Sequence, residues 1–225
     1  MQTTISLLFI LFCASIASAA SFVITTNGDT HDASTADGVC ADSGGNCTLR
    51  AAVEQSGATT SDDAITFAGG LSTIILTLNS EIAVNKSGAL QITANSLVSI
   101  ERSQATGTPE HRIFNIALTA RVTMTNLKIS FGQTPVGDFT GGGIKNSGSL
   151  ILTASTVSGN LAGITTFSSD LRISYGGGIY NNGSLTLENC VVENNRASHV
   201  SGFGGGGGTG NYCAKHFSIS KEFLH

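Results

Sequence analysis

Tryptophan is absent from the 225 residues, proline occurs only twice, and charged side chains make up 12%. So little proline excludes a polyproline or collagen-like chain, and so little charge excludes a disordered polyelectrolyte. The basic residues are few and scattered, so there is no stripe to recruit nucleic acid. Beyond residue 20 no apolar run approaches the roughly 20 residues that a membrane-spanning helix needs. In place of these the chain has 28 glycines, with Ser, Thr and Asn spread among Ile, Leu, Val and Ala. That mixture suits a β protein rich in turns and suits a helical bundle poorly.

The opening stretch, MQTTISLLFILFCASIASAA, has an apolar run from Ile5 to Phe12 followed by small residues. It reads as a secretory signal peptide over residues 1–20, cleaved after Ala19 or Ala20, and is too short to span a bilayer. Export to the cell exterior or surface makes the cysteines interpretable. Cys40 and Cys47 read as a disulfide closing a short loop, since the residues around them make no zinc ligand set. Cys190 occupies the place that Ser155 holds in an internal repeat and reads as a buried core thiol; Cys213 is left unassigned.

That repeat is the strongest signal. TGGGIKNSGSLILTASTVSGN (140–160) returns as YGGGIYNNGSLTLENCVVENN (175–195), offset by 35 residues, with 11 of the 20 positions from Gly141 to Asn160 identical. Each copy is a glycine triplet, Gly141–Gly142–Gly143 or Gly176–Gly177–Gly178, followed by short alternating runs between Asn, Gly and Ser. Such runs are too short for helices and alternate as strands do. One copy buries little, whereas stacked copies bury a continuous apolar column. Degenerate versions run upstream, at AITF (64–67), IILTL (74–78), IAV (82–84), LQIT (90–93), RIFNI (112–116) and RVTMTNLKISFG (121–132), where Asn126 matches Asn189. A β-sandwich would give a similar spacing. The triplets and the aligned pairs Asn146/Asn181 and Asn160/Asn195 favour stacked coils with hydrogen-bonded Asn ladders.

The expected fold is therefore all-β, a right-handed parallel β-helix over residues 61–200, of six or seven coils. The long offset is read as an insertion, GITTFSSDLRIS (163–174). Leu150, Leu152, Val157, Leu185, Leu187 and Val192 should point inward. Residues 21–60 form the N-terminal part: a strand in SFVITT (21–26), a polar loop, and a short capping helix over Thr48–Ser56 with Thr48 as N-cap. Residues 201–225 lose the pattern and are expected to be a disordered or truncated tail. The coils would then end open, and the chain would self-associate through that end.

The stretch DGVCADSGGNCTLRAAVEQS (37–56) resembles the N-terminal signature named for its Cys-Ser-Leu-Arg-Glu-Ala motif. The match falls on Cys47, Thr48, Leu49, Arg50 and Ala52, with Thr48 in place of Ser and Ala51 in place of Glu. The resemblance implies a secreted bacterial β-helix of the pectin-lyase-like fold. The glycine-triplet coils are similar to those of polymorphic outer-membrane proteins and autotransporter passengers. Loss of the Glu implies that Arg50 lacks a local partner.

The sequence offers little catalytic chemistry. None of its five histidines lies in a zinc-type pair, and no GxSxG elbow is present. Neither a metal nor a cofactor is implied. The acids between Asp29 and Asp42 could offer oxygens to calcium, but without EF-hand spacing they read as a solvated loop. Residues 21–63 carry a formal charge of −6. Asp138 and Asp170 precede the two triplets and, with Lys145 or Arg172, are the residues a polysaccharide lyase or glycoside hydrolase would draw on. The preferred reading names no catalytic residue. It is a structural, adhesive or glycan-binding surface protein, an adhesin whose partners are glycans or cell-surface proteins.

Overall fold

A computed structural model describes residues 18–135, 137–163, 174–197, 212–220 and 223–224. In chain order the elements are β1 (Ser21–Ile24), α1 (Leu49–Gly57), β2 (Asp63–Phe67), β3 (Thr73–Leu76), β4 (Ile82–Val84), β5 (Ala89–Arg102) and β6 (Phe114–Ile116). Then come β7 (Arg121–Ser130), β8 (Ile144–Asn146), β9 (Ser149–Thr153), β10 (Thr156–Ser158), β11 (Leu161–Ala162) and β12 (Ile179–Asn181). The last are β13 (Ser184–Glu193), β14 (Arg196–Ala197), β15 (Tyr212–Ser220) and β16 (Phe223–Leu224).

Successive coils stack in parallel and in register. One column of aligned residues runs Phe22, Ile65, Ile92, Met124, Leu152, Leu187. A second runs Ile74, Ile100, Ile129, Val157, Val192, and a third Ile82, Phe114, Ile144, Ile179. All of these side chains are buried. The period-2 alternation of each short run turns one set of side chains inward, and stacking makes that set continuous. The six core residues expected from the repeat all face the interior. The fold is a parallel β-helix. The expected six or seven coils are an overcount, because β4, β6, β8 and β12 mark about three turns. Each short run is a strand, but several belong to one coil: β2 and β3 both stack on β5, and β4 on β6.

The repeat grammar has a structural cause. Gly141 and Gly176 sit at φ +68° and +60°, where a side chain would strain the backbone. A Cβ on Gly142 would collide with Gly177 and Leu161 backbone, and one on Gly177 with Arg196 backbone. The triplet is thus the corner at which the wall of a coil folds back onto its own later segment. Asn146 donates to Asn181 Oδ1 at 2.6 Å, and Asn160 to Asn195 Oδ1 at 2.9 Å, all four side chains buried. Asn160 also bonds the Ile129 carbonyl, as Asn195 does that of Val157, so each Asn satisfies backbone inside the corner.

A second corner joins the two halves of β7, the β9–β10 pair, and the two halves of β13. It falls on Asn126, Ala154 and Asn189, all left-handed at φ 58°, 48° and 53°. Asn tolerates that conformation and Ala does not. Replacing the exposed Ala154 with Asn or Gly is expected to stabilise the protein by about 0.5–1 kcal/mol, seen as a raised melting temperature. An unchanged or lower melting temperature for both variants would count against corner strain.

At the N-terminal end, α1 begins one residue later than expected. Thr48 is its N-cap, accepting from Ala51 N at 3.0 Å. At the other end the structure corrects the reading of a strandless tail. Tyr212–Ser220 pairs antiparallel with β13, and Phe223–Leu224 with β12. A ladder is made by backbone groups, so a segment without the repeat pattern can still add to an edge. The β13 edge that was expected to stand open for self-association is occupied by β15. The glycine run in 201–211 and most of the insertion, 164–173 with Asp170 and Arg172, lie outside the described residues.

Candidate functional site

Polar chemistry concentrates where the cap meets the first coils. Cys40 and Cys47 form a disulfide with Cα atoms 5.1 Å apart, closing the loop that leads into α1. From α1, Arg50 reaches inward, almost fully buried. Its Nε donates to Asp29 Oδ1 at 2.7 Å, and its two Nη groups donate to the carbonyls of Glu81 and Ser80, each at 2.9 Å. Asp29 also accepts from the amides of Thr77 and Leu78. In place of a local partner Arg50 has Asp29, far upstream in sequence. Cys47, Thr48, Leu49, Arg50 and Ala52 are all buried; Arg50 pins the cap to the turn before β4, while Cys47 and Thr48 bond back to Thr25 and Thr30.

A second pair lies deeper. Lys86 and Asp63 have fully buried side chains joined at 2.8 Å. Lys86 also donates to the carbonyls of Ser56 and Thr59, tying the end of α1 to the coil. Burial alone would raise the Asp63 pKa, but hydrogen bonds from Lys86, the Ala20 amide, Thr59 and Ser61 together hold it below the usual value.

Outward of these pairs, charges step from coil to coil. Glu81 accepts from Arg112 at 3.0 Å and from Asn115 at 2.6 Å. Arg112 reaches on to Asp138 at 2.5 Å, and Lys145 meets the same carboxylate oxygen at 3.1 Å. Burial opposes ionisation of Asp138, yet Thr140, Arg112 and Lys145 overcome it and push its carboxyl far below the ordinary range. Asp138 and Lys145, the residues a lyase or hydrolase would draw on, are thus bound to each other and to Arg112. A carboxylate held ionised by two cations is poorly placed to donate a proton.

No family model, curated protein or solved structure matches this chain. Its site must be read from its own geometry. Of the acids in the 29–42 loop, Asp29 serves Arg50, Asp32 takes the amides of Ser34 and Ala41, and Asp42 takes Thr30 and the amides of Gly44 and Asn46. They hold the loop's shape. Cys190 is a free, buried thiol whose pKa is raised by burial. Sequence reasoning missed the Arg50–Asp29 and Lys86–Asp63 pairs, whose members are more than 20 residues apart and share no motif.

Between α1 and β4 the surface opens into a cleft of about 500 Å³. Its helix wall is Arg50, Val53, Glu54, Gly57 and Ala58, one stripe at helical spacing, and the facing wall runs from Ser80 to Asn85. His31 stands at the mouth with Nδ1 2.6 Å from Glu54 Oε1.

His111 is buried nearby, its Nδ1 bonded to the Arg112 carbonyl at 2.9 Å and its Nε2 without a partner among the described residues. Burial lowers its pKa. The Arg112 carbonyl and Asp29 oppose that, and Arg102 and Arg50 reinforce it. The unfolded chain takes up a proton near pH 6.5 that the folded chain refuses. Stability is therefore fully present above pH 6.5 and falls as pH drops toward the folded value, by no more than about 1.4 kcal/mol per pH unit. Denaturant melts of the native protein and of His111→Gln across this range should differ in slope; equal slopes would refute the assignment.

Proposed function

We propose that this chain is an exported surface protein whose β-helix presents a glycan-binding, adhesive face. The observation that supports this most is the outward register of the first sheet. Thr66, Thr93, Thr125 and Thr153 are aligned in one column, strand after strand. The neighbouring column carries Gln91, Thr123, Ile151 and Thr186. Adjacent strands lie about 4.8 Å apart, so hydroxyls recur at a spacing close to one sugar unit, up to Glu188, the rung that follows Thr153. A disulfide beside the cap suits an oxidising compartment. The resemblance of residues 37–56 to the secreted signature points the same way.

The test is retention of the purified protein on insoluble polysaccharides, compared with Thr93→Lys/Thr125→Lys. Loss of retention in the variant is expected. Equal retention, or release of cleaved sugar products by the native protein, would replace this reading with another site or with lyase or hydrolase activity. The mass of exported protein tests cleavage after Ala19 or Ala20.

A further inference from the structure

Strand β4 is the terminal rung of its sheet. Its Ile82 amide bonds the Ile113 carbonyl, and its Val84 carbonyl accepts from Ala117 N. In a parallel ladder, alternate residues turn both backbone groups to the same side. Ile82 and Val84 therefore face β6, and the amide and carbonyl of exposed Ala83 face away from it, into the cleft against α1. No partner for them occurs among the described residues. An unpaired edge of this kind is normally blocked by charge, by proline or by a covering element. Here α1 packs beside β4, held at its two ends by Arg50 on the Ser80 and Glu81 carbonyls and by Gly57 against the Asn85 carbonyl. The cleft opens beside these contacts, where the small residues Gly57, Ala58 and Ala83 line it together with Val53, Glu54 and Asn85.

The charge around the cleft selects the occupant. Residues 21–63 carry a formal −6, of which Asp29 is paired with their one base, Arg50, Asp63 with Lys86 and Asp62 with Arg121. Among the described residues, Asp32, Asp37, Asp42 and Glu54 have no Lys or Arg within ion-pair distance; Glu54 meets His31 through Oε1 and the Asp32 amide through Oε2. Glu54 and Glu81 stand on opposite walls, each side chain 29% exposed. We propose that this cleft binds an extended basic peptide segment of a partner protein, which adds as a strand to the free edge of β4 through Ala83. Main-chain bonds supply the pairing, and alternate Lys or Arg side chains reach Glu54 and the cap's acidic field.

The probe is a capped peptide of about eight residues alternating lysine and threonine, titrated by fluorescence anisotropy into the full chain. Saturable binding is expected, weakening with salt. It should be lost when alternate amides of the peptide are N-methylated and when glutamate replaces lysine. Ala83→Pro removes the cleft-facing amide while leaving the bonds of Ile82 and Val84 to β6, and should weaken binding at least about tenfold. A melting temperature close to that of the native protein shows that the fold survives. If Ala83→Pro does not fold, Glu54→Gln carries the test, with a loss of about three- to tenfold and a shallower salt dependence. Absent binding, equal binding of the glutamate or N-methylated peptide, or indifference to both substitutions overturns the proposal. So does a neutral oligosaccharide that displaces the peptide from the cleft. The threonine face is untouched by these variants, so retention on polysaccharide can fail while the peptide binds, and the reverse.

Discussion

Lys86→Met is expected to cost about 3–5 kcal/mol, because it leaves the Asp63 carboxylate buried without its cation. The side chain lost is not only a charge partner. Its ammonium also takes the carbonyls of Ser56 and Thr59, so the end of α1 should loosen along with β2. The companion experiment gives the prediction its edge. Asp63 is aligned with Leu90, and that column continues through Val122, Leu150 and Leu185. A leucine at position 63 would therefore extend an apolar stack already built by every later coil. The double variant Asp63→Leu/Lys86→Met should recover most of the lost stability or exceed the native value, since a buried pair is often replaced by apolar residues at no cost. Denaturant unfolding of the two singles and the double would show strong coupling. Additive effects would mean that the pair does not act as a unit.

This pair also shows where sequence reading stops. The columns were legible because each coil repeats the same physical demand: apolar inward, polar outward, glycine at the pinched corner. Leu150 and Leu185 predict one another across 35 residues. The cap helix was legible from Thr48 and the spacing of Leu49, Ala52 and Val53. The ionic pairs are each made once, between residues more than 20 apart in sequence whose proximity depends on the wound path. Asp29 looked like one of several loop acids, and Lys86 like a polar residue after the run IAV. Ala154 hid a repeated feature for the opposite reason. It keeps the left-handed corner of Asn126 and Asn189 while discarding the residue type that marks it. The tail misled because backbone pairing in β15 needs no side-chain pattern. The cleft was invisible because Ala83 has no distinctive chemistry. Its importance comes from being the residue of an edge strand that faces away from its neighbour.

Gly142→Ala should be among the most damaging single-methyl additions in the chain, costing about 4 kcal/mol or more. Its backbone is not left-handed, so the loss would come from space alone. The new Cβ would press on backbone atoms of Gly177 and Leu161, and backbone on both sides of a stacked corner cannot give way as a flexible side chain can. Three other glycines separate the possible causes. Gly69 has ordinary φ and nothing within 4 Å, so its alanine variant should be neutral or slightly stabilising. Gly107, at φ +86° with nothing within 4 Å, isolates conformational strain and should cost about 1–2 kcal/mol. Gly141 combines φ +68° with a clash against the Ile144 carbonyl and should rank beside Gly142. Hydrogen exchange should place the damage. In Gly142→Ala the amides of β8 and β12 should lose protection, while those of β2 and β5, next to the disulfide-closed cap, keep theirs. If Gly142→Ala melts like Gly107→Ala, the corner is less tightly closed than this packing requires, and the glycine triplet would serve conformation rather than contact.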